Sequence, residues 1–103
     1  MLRLDTKKEI AQTIINQIKY ADVWLLPSIG ATSFKFMNES EEFQGGLRFM
    51  CNGLRHQGVV EILLKWIDTY TIRFIDTNHK QVKEVNDVYC DGLVQVLDYV
   101  EGR

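Results

Sequence analysis

The chain has 103 residues, enough for a single domain, because domains commonly contain about 100–150 residues and a second core would find no room. Hydrophobic residues make up 46% of the sequence, so most apolar side chains must share that one core. The formal net charge of −2 excludes a strong overall attraction to nucleic acid or to an anionic membrane. Binding of either kind would need a local basic patch.

The cysteines and the N-terminal residues indicate a soluble cytoplasmic protein. Cys51 and Cys90 lie far apart and outside any CxxC motif, unlike the cysteines of a small disulfide-bonded secreted domain. Charged residues interrupt the apolar residues of MLRLDTKKE, so we expect no signal peptide. No stretch approaches the roughly 18 to 20 apolar residues of a membrane span, so we expect no membrane association.

A helix is predicted from Thr6 onward. Thr6 and Glu9 form a capping box, in which each side chain satisfies a backbone donor at the start of the helix. Ile10, Ile14 and Ile18 recur every fourth residue, while polar residues occupy the opposite side. One face of this helix is therefore predicted to lie in the core.

After this helix the apolar residues change to a period of two, which predicts β-strands. The apolar stretch Val23–Leu26, which Pro27 follows, is predicted as a loop or a short edge strand. Asn38–Gly46 is predicted as a polar loop, and Asn52-Gly53 as a tight hairpin turn with positive φ angles. We expect a four-stranded antiparallel meander with strands Thr32–Met37, Leu47–Cys51, Val59–Trp66 and Tyr70–Ile75.

The last quarter of the sequence predicts a second helix. Asp76–Lys80 has turn composition, and Val82 and Val85 form a short strand or dock the chain on the core. Asn86 or Asp87 is predicted to cap the helix. Its predicted buried residues are Tyr89, Leu93, Val96, Leu97 and Val100. The expected fold class is α+β: a helix, a four-stranded antiparallel meander and a helix, with both helices on one face of the sheet.

Five stretches of the sequence resemble a group of small uncharacterised proteins of bacteriophages, prophages and gut bacteria. They are KEIAQTIINQI, IGATSFKF, GLRFMCNG, IDTYTIRF and VKEVNDVYCDGLVQVLDYVEG, and together they span nearly the whole chain. Each is a core pattern or a turn and none is a catalytic signature, so the resemblance implies a fold and a genomic setting and transfers no activity. The chain departs from the group at Pro27 and Ser28, where apolar or aromatic residues are expected.

The candidate metal ligands are Cys51, His56, His79 and Cys90, whose spacing matches no common zinc pattern. Cys51 belongs to an inward-facing set of strand residues and is predicted to be a buried, inert thiol. Both histidines lie in turns and are predicted to be solvated. Cys90 lies near the predicted start of the second helix, where the helix dipole lowers the pKa of a thiol, but no positioned base accompanies it. We expect no metal, no cofactor and no enzymatic activity.

The side of the sheet away from the helices is the candidate binding surface. Its predicted residues are Lys35, Arg48, Met50, Glu61, Leu63, Lys65, Arg73 and Ile75. Four of them are cations against the single acid Glu61, so this face is predicted to be locally basic on an acidic protein. The apolar side chains between them suit the binding of a protein partner or the formation of a homodimer better than the binding of a nucleic acid through its phosphates alone. Ordinary strand alternation, with long basic side chains over apolar neighbours, gives the same pattern and stays open as an alternative.

The expected function is a non-enzymatic protein-binding module. The resemblance implies a phage-like accessory protein or inhibitor that acts on a host, viral or defence protein. The alternative is a single-stranded nucleic-acid-binding protein that uses the basic sheet face, where long cationic side chains contact phosphates and exposed aromatic residues stack on bases. Few aromatic residues are predicted on that face, which favours the protein partner.

Overall fold

Two helices, five consecutive strands and a last helical segment follow one another in the structure, a computed structural model that describes residues 6–101. The helices are α1 (Thr6–Ala21), α2 (Leu25–Ser28) and α3 (Leu93–Leu97), and 3-10 turns at Cys90–Gly92 and Asp98–Glu101 flank α3. The strands are β1 (Thr32–Met37), β2 (Phe43–Asn52), β3 (Gln57–Lys65), β4 (Tyr70–Ile75) and β5 (Gln81–Val88). None of the helices in this described part is long and apolar enough to cross a membrane.

The strands form one antiparallel sheet in chain order, β1-β2-β3-β4-β5. This confirms the prediction of an α+β domain with an antiparallel sheet, but the sheet has five strands and not four. β5 pairs with β4, with Ile72 opposite Val85 and Arg73 opposite Glu84. Its sequence QVKEVNDV shows little apolar alternation, because β5 is an edge strand whose side chains are mostly exposed and no core contact imposes a period of two.

The core lies between one side of the sheet and the helices. Ala11, Ile14 and Ile18 of α1 are buried in it, as their spacing predicts. The strands contribute Leu47, Phe49, Cys51, Val60, Ile62, Ile72 and Phe74. Leu25 of α2 and Leu97 of α3 join the same cluster, so all three helices lie on one side of the sheet.

The second predicted helix is shorter than expected and starts later. Asn86 and Asp87 belong to β5, where they lie in an irregularity of its pairing with β4 between Val85 and Val88, and neither caps a helix. The helical residues begin after Tyr89, which provides no side-chain cap. The buried residues of this segment are Leu93, Leu97 and Val100, as predicted, whereas Val96, also predicted to be buried, is only partly buried. Tyr89 is 66% exposed, which corrects its predicted burial, because it lies between the end of β5 and the first 3-10 turn.

Two connections differ from the prediction. The stretch Val23–Leu26 leads into α2 and forms no strand, since Leu25 and Leu26 are buried as the first residues of that helix. Asn52 and Gly53 do not adopt positive φ angles. Gly53 is required for a different reason: a Cβ atom there would overlap the side chain and carbonyl of Val100.

β2 begins at Phe43 and not at Leu47, so part of the predicted loop is strand. Gly46 permits this extension, because a Cβ atom at that position would overlap the carbonyl oxygen of Ile62 on β3. The extension also places Phe43 opposite Lys65 of β3. An aromatic residue therefore enters the side of the sheet that faces away from the helices.

Candidate functional site

The predicted surface residues lie on the side of the sheet away from the helices, which we call the open face. The strand register places Arg48, Glu61, Arg73 and Glu84 in one row across β2 to β5. The next row contains Met50, Val59 and Ile75. Lys35 lies opposite Arg48, Leu63 opposite Thr71, and Lys65 opposite Phe43. The structure thus brings together the residues that the alternation assigned to one face.

Three of the four predicted cations of the open face are paired with acids, which corrects the prediction of a locally basic surface. Among the residues that the structure describes, three ion pairs cross it, with nitrogen–oxygen distances of 3.4 Å for Arg48–Glu61, 2.9 Å for Arg73–Glu84 and 3.7 Å for Lys65–Asp87. Glu84 and Asp87 belong to β5, the strand that the sequence pattern predicted only as an alternative at Val82 and Val85. Lys35 forms no ion pair with another residue of the described range 6–101.

Glu84 is the centre of a hydrogen-bond network at the β5 edge. The side-chain amide of Asn86 donates to its Oε2 over 3.1 Å, and Arg73 donates to its Oε1 over 2.9 Å. Asn86 in turn accepts a hydrogen bond from Thr71 Oγ1. The hydrogen bond from Asn86, followed by that from Arg73, lowers the pKa of Glu84 from its usual value of 4.5. Glu84 therefore stays ionised at neutral pH and offsets the charge of Arg73.

The middle of the open face is closed by its own side chains. Leu63 is 3% exposed and Glu61 is 8% exposed. Phe43 is also buried, and the guanidinium carbon of Arg73 lies 5.3 Å from its ring centroid, a cation–π arrangement. Met50 at the margin remains half-exposed. These contacts favour the alternative in which long basic side chains cover their apolar neighbours.

A second surface, which the sequence analysis missed, lies between α1 and the edge strand β1. We call it the α1–β1 groove. Its central cavity has a volume of about 540 Å³ and is lined by Lys8, Ala11, Gln12, Ile15, Phe34, Lys35, Phe36 and Leu47. An adjoining cavity of about 490 Å³ shares Gln12, Ile15 and Phe34 with it and extends to Lys19, Leu26, Pro27 and Ala31. Apart from the lysines and Gln12, the lining residues in the described part of the chain are apolar.

The two phenylalanines of β1 give the groove its apolar wall. Phe34 and Phe36 point towards the helix side of the sheet, as their alternation predicts, yet each is 43% exposed. The reason is that α1 packs chiefly on β2 and leaves the outer strand partly uncovered. Phe34 is held in place by Phe49, whose ring centroid lies 5.4 Å away. Half-exposed aromatic side chains fixed on a strand are typical anchors for a protein partner.

The rim of the groove is cationic. Lys8, Lys19 and Lys35 line its two cavities, and among residues 6–101 no acidic residue does. None of these lysines forms an ion pair within the described part of the chain. Lys35 lies at the outer edge of β1, where it borders both the groove and the open face. Three lysines without an acid partner among the described residues therefore border one groove, on a chain whose net charge is −2.

The cysteines and histidines do not assemble into a site. Cys51 is buried, and burial raises the pKa of its thiol to about 11, opposed by a backbone hydrogen bond at Gly58. His56 is buried, contrary to the prediction that it is solvated: its Nε2 lies 3.2 Å from the Val59 carbonyl oxygen. His79 and Cys90 are exposed. Within residues 6–101, no group of three or more His, Cys, Asp or Glu residues could hold a metal ion.

Together the fold and the groove define a small α+β domain with a cation-rimmed apolar groove beside an edge strand. No family model, curated sequence or solved structure matches the chain. Its function is therefore inferred from the chemistry of its own surfaces.

Proposed function

We propose that this chain is a non-enzymatic protein-binding module whose partner binds in the α1–β1 groove. The observation that carries the proposal is the exposure of Phe34 and Phe36 beside the apolar residues Ile15 and Leu47. Apolar surface that stays accessible in a concave groove gains free energy when a partner covers it, at about 25 cal/mol per Å² of apolar area. A docking role explains why Phe34 keeps 43% of its surface exposed.

A protein partner fits this groove better than a nucleic acid does. Proteins that bind single strands combine cations along the path of the backbone with aromatic rings on which bases stack. On the open face, Arg48, Lys65 and Arg73 are held by acids, and Phe43 is buried. The groove has exposed rings, but its floor is aliphatic and suits apolar side chains. Both features favour protein binding over the nucleic-acid alternative.

The resemblance of the chain to small phage and prophage proteins implies a biological role for the proposed binding module. A small module without a catalytic signature can act by occupying a surface on another protein, as an accessory protein or an inhibitor does. The partner would then be a host, viral or defence protein. This role rests on the resemblance, whereas the location of the binding surface rests on the exposed groove.

A selection from a random-peptide display library on the immobilised domain tests the proposal. Peptides that bind are expected to lose affinity about tenfold or more in Phe34→Ala, as for a central aromatic anchor. Met50→Ala is the matched control, since Met50 is a half-exposed apolar residue on the open face. Fluorescence anisotropy measures both affinities, and circular dichroism verifies that each variant is folded.

Two results would overturn this assignment. If Met50→Ala loses affinity for the peptides and Phe34→Ala keeps full affinity, the binding site lies on the open face and not in the groove. A library that yields no peptide above background, together with salt-sensitive binding of a single-stranded oligonucleotide, would favour the nucleic-acid alternative.

A further inference from the structure

The groove lysines lie at positions that a single extended ligand can reach. Lys8 and Lys19 are about three helical turns apart on α1, roughly 16 Å along its axis. At about 100° per residue, Lys8, Gln12, Ile15 and Lys19 fall within roughly 60° of one another around the helix. The two lysines therefore stand at the two ends of the same stripe that provides Ile15 to the groove.

Lys35 supplies a third cation from the other wall. It follows Phe34 along β1 and lines the central cavity with Lys8. The nearest acid of α1, Glu9, lines a separate cavity with Ile10 and Tyr70 and is absent from the groove lining. The groove thus presents an apolar floor with positive charge at both ends and along one side.

We infer that the groove binds an acidic amphipathic segment of a partner protein, about three helical turns long. Its apolar side chains cover Ile15 and Phe34, and its carboxylates lie near the three lysines. This inference rests on the proposed function and specifies the chemistry of the partner. Charge complementarity is the reason: a neutral or basic segment would leave three cations without counter-charges next to a newly buried apolar surface.

The peptides from the display selection test this inference, because their composition is read directly. We expect the enriched peptides to carry more Asp and Glu than the starting library. The tightest of them is then synthesised with every Asp and Glu replaced by Asn and Gln. This neutral counterpart is expected to bind about tenfold more weakly at low salt, since each rim ion pair is worth a few tenths of a kcal/mol. The difference is expected to vanish in about 1 M salt, where the screening length is about 3 Å.

A pair of double variants locates the charge effect. Lys8→Gln/Lys19→Gln is expected to lower the affinity for the acidic peptide about fivefold and to leave the affinity for the neutral counterpart unchanged. Lys80→Gln/Lys83→Gln changes the net charge equally, at the β4–β5 hairpin on the opposite edge of the sheet from β1. This control is expected to bind both peptides as the unaltered domain does.

The outcomes separate the inference from the proposed function. If acidic and neutral peptides bind equally and both depend on Phe34, the inference fails and the protein-binding proposal stands. Equal weakening in the two lysine double variants would also overturn the inference, because the effect would then come from overall charge. If no peptide is enriched, the proposed function itself fails. Tighter binding of an oligothymidine probe than of any selected peptide, with loss in Lys8→Gln/Lys19→Gln, would overturn both in favour of nucleic acid.

Discussion

Arg73 on β4 donates a hydrogen bond from Nε to Oε1 of Glu84 on β5 over 2.9 Å. This contact joins the last two strands of the sheet and neutralises a cation of the open face. It exists only because Gln81–Val88 forms a strand, in which Glu84 lies opposite Arg73. Two of the ion pairs described on the open face, Arg73–Glu84 and Lys65–Asp87, therefore depend on β5.

The Arg73–Glu84 contact predicts a defined pH dependence. The pKa of Glu84 is lowered in the folded protein, so its contribution to the free energy of unfolding is full above its usual pKa of 4.5 and is lost as the pH falls through the lower, folded-state value. Glu84→Gln removes this contribution and should flatten the stability profile below pH 4.5 relative to the unaltered protein. At neutral pH we expect a loss under about 1 kcal/mol, because the pair is partly exposed.

Urea denaturation at a series of pH values measures this effect. Glu39→Gln is the control, since Glu39 is an exposed residue between β1 and β2 that makes no ion pair in the described part of the chain. A Glu84→Gln profile that is parallel to that of the unaltered protein down to pH 3 would contradict the role assigned to Glu84.

The strands with a buried side were predictable from the sequence, whereas β5 was predicted only as one of two alternatives, a short strand at Val82 and Val85. Phe49, Ile62 and Phe74 each lie in runs of alternating apolar residues because one side of those strands lies in the core. Most side chains of β5 are exposed, whichever side of the sheet they lie on, so its sequence resembles that of a loop. Because no alternation of apolar residues marks the end of β5 as a strand, Asn86 and Asp87 were predicted to cap a helix.

The α1–β1 groove could not be predicted because its residues carry core patterns. Phe34 and Phe36 alternate as buried residues do, and Ile15 belongs to the apolar side of α1. Whether a helix covers an outer strand depends on where it crosses the sheet, and this is set by packing against β2 and the other helices. His56 was misread for a related reason: its turn is covered by the C-terminal residues, since the backbone amides of Arg55 and His56 donate to the Val100 carbonyl.

The two cysteines are predicted to differ sharply in reactivity. Cys51 is buried with a thiol pKa raised to about 11, so at pH 8 only about one thiol in a thousand is ionised. Cys90 is exposed. The native protein should therefore take up one iodoacetamide label at pH 8, as measured by mass spectrometry, and a second label only in denaturant. Cys90→Ser should take up none while folded; rapid labelling of this variant would show that Cys51 is accessible.

Two glycines are predicted to respond in opposite directions to alanine. Gly92 has φ −101 and ψ −1, and an added Cβ atom would meet only Val88 Cγ1 at 3.6 Å, an ordinary contact. Gly92→Ala should raise the free energy of unfolding by about 0.4–1 kcal/mol, because alanine lowers the entropy of the unfolded chain. Gly53→Ala should lower it by about 1–3 kcal/mol, because its Cβ atom would overlap Val100. Thermal denaturation compares the two, and a neutral Gly53→Ala would show that the C-terminal residues do not pack on the β2–β3 turn.

The two histidines differ in burial, since the imidazole of His56 is buried and that of His79 is exposed to solvent. His56 is 4% exposed, its ring centroid lies 5.3 Å from that of Phe74 in an edge arrangement, and its Nε2 lies within hydrogen-bond distance of the Val59 carbonyl oxygen. His56→Ala should lower the free energy of unfolding by about 2–4 kcal/mol, because the substitution creates a cavity and removes the hydrogen-bond partner of the Val59 carbonyl. His79 is exposed in the β4–β5 turn with φ 63, so His79→Ala should change stability by less than about 0.5 kcal/mol. Equal, small effects of the two substitutions in urea denaturation would mean that His56 is solvated, as the sequence pattern predicts, and that the β2–β3 turn is not closed by the C-terminal segment.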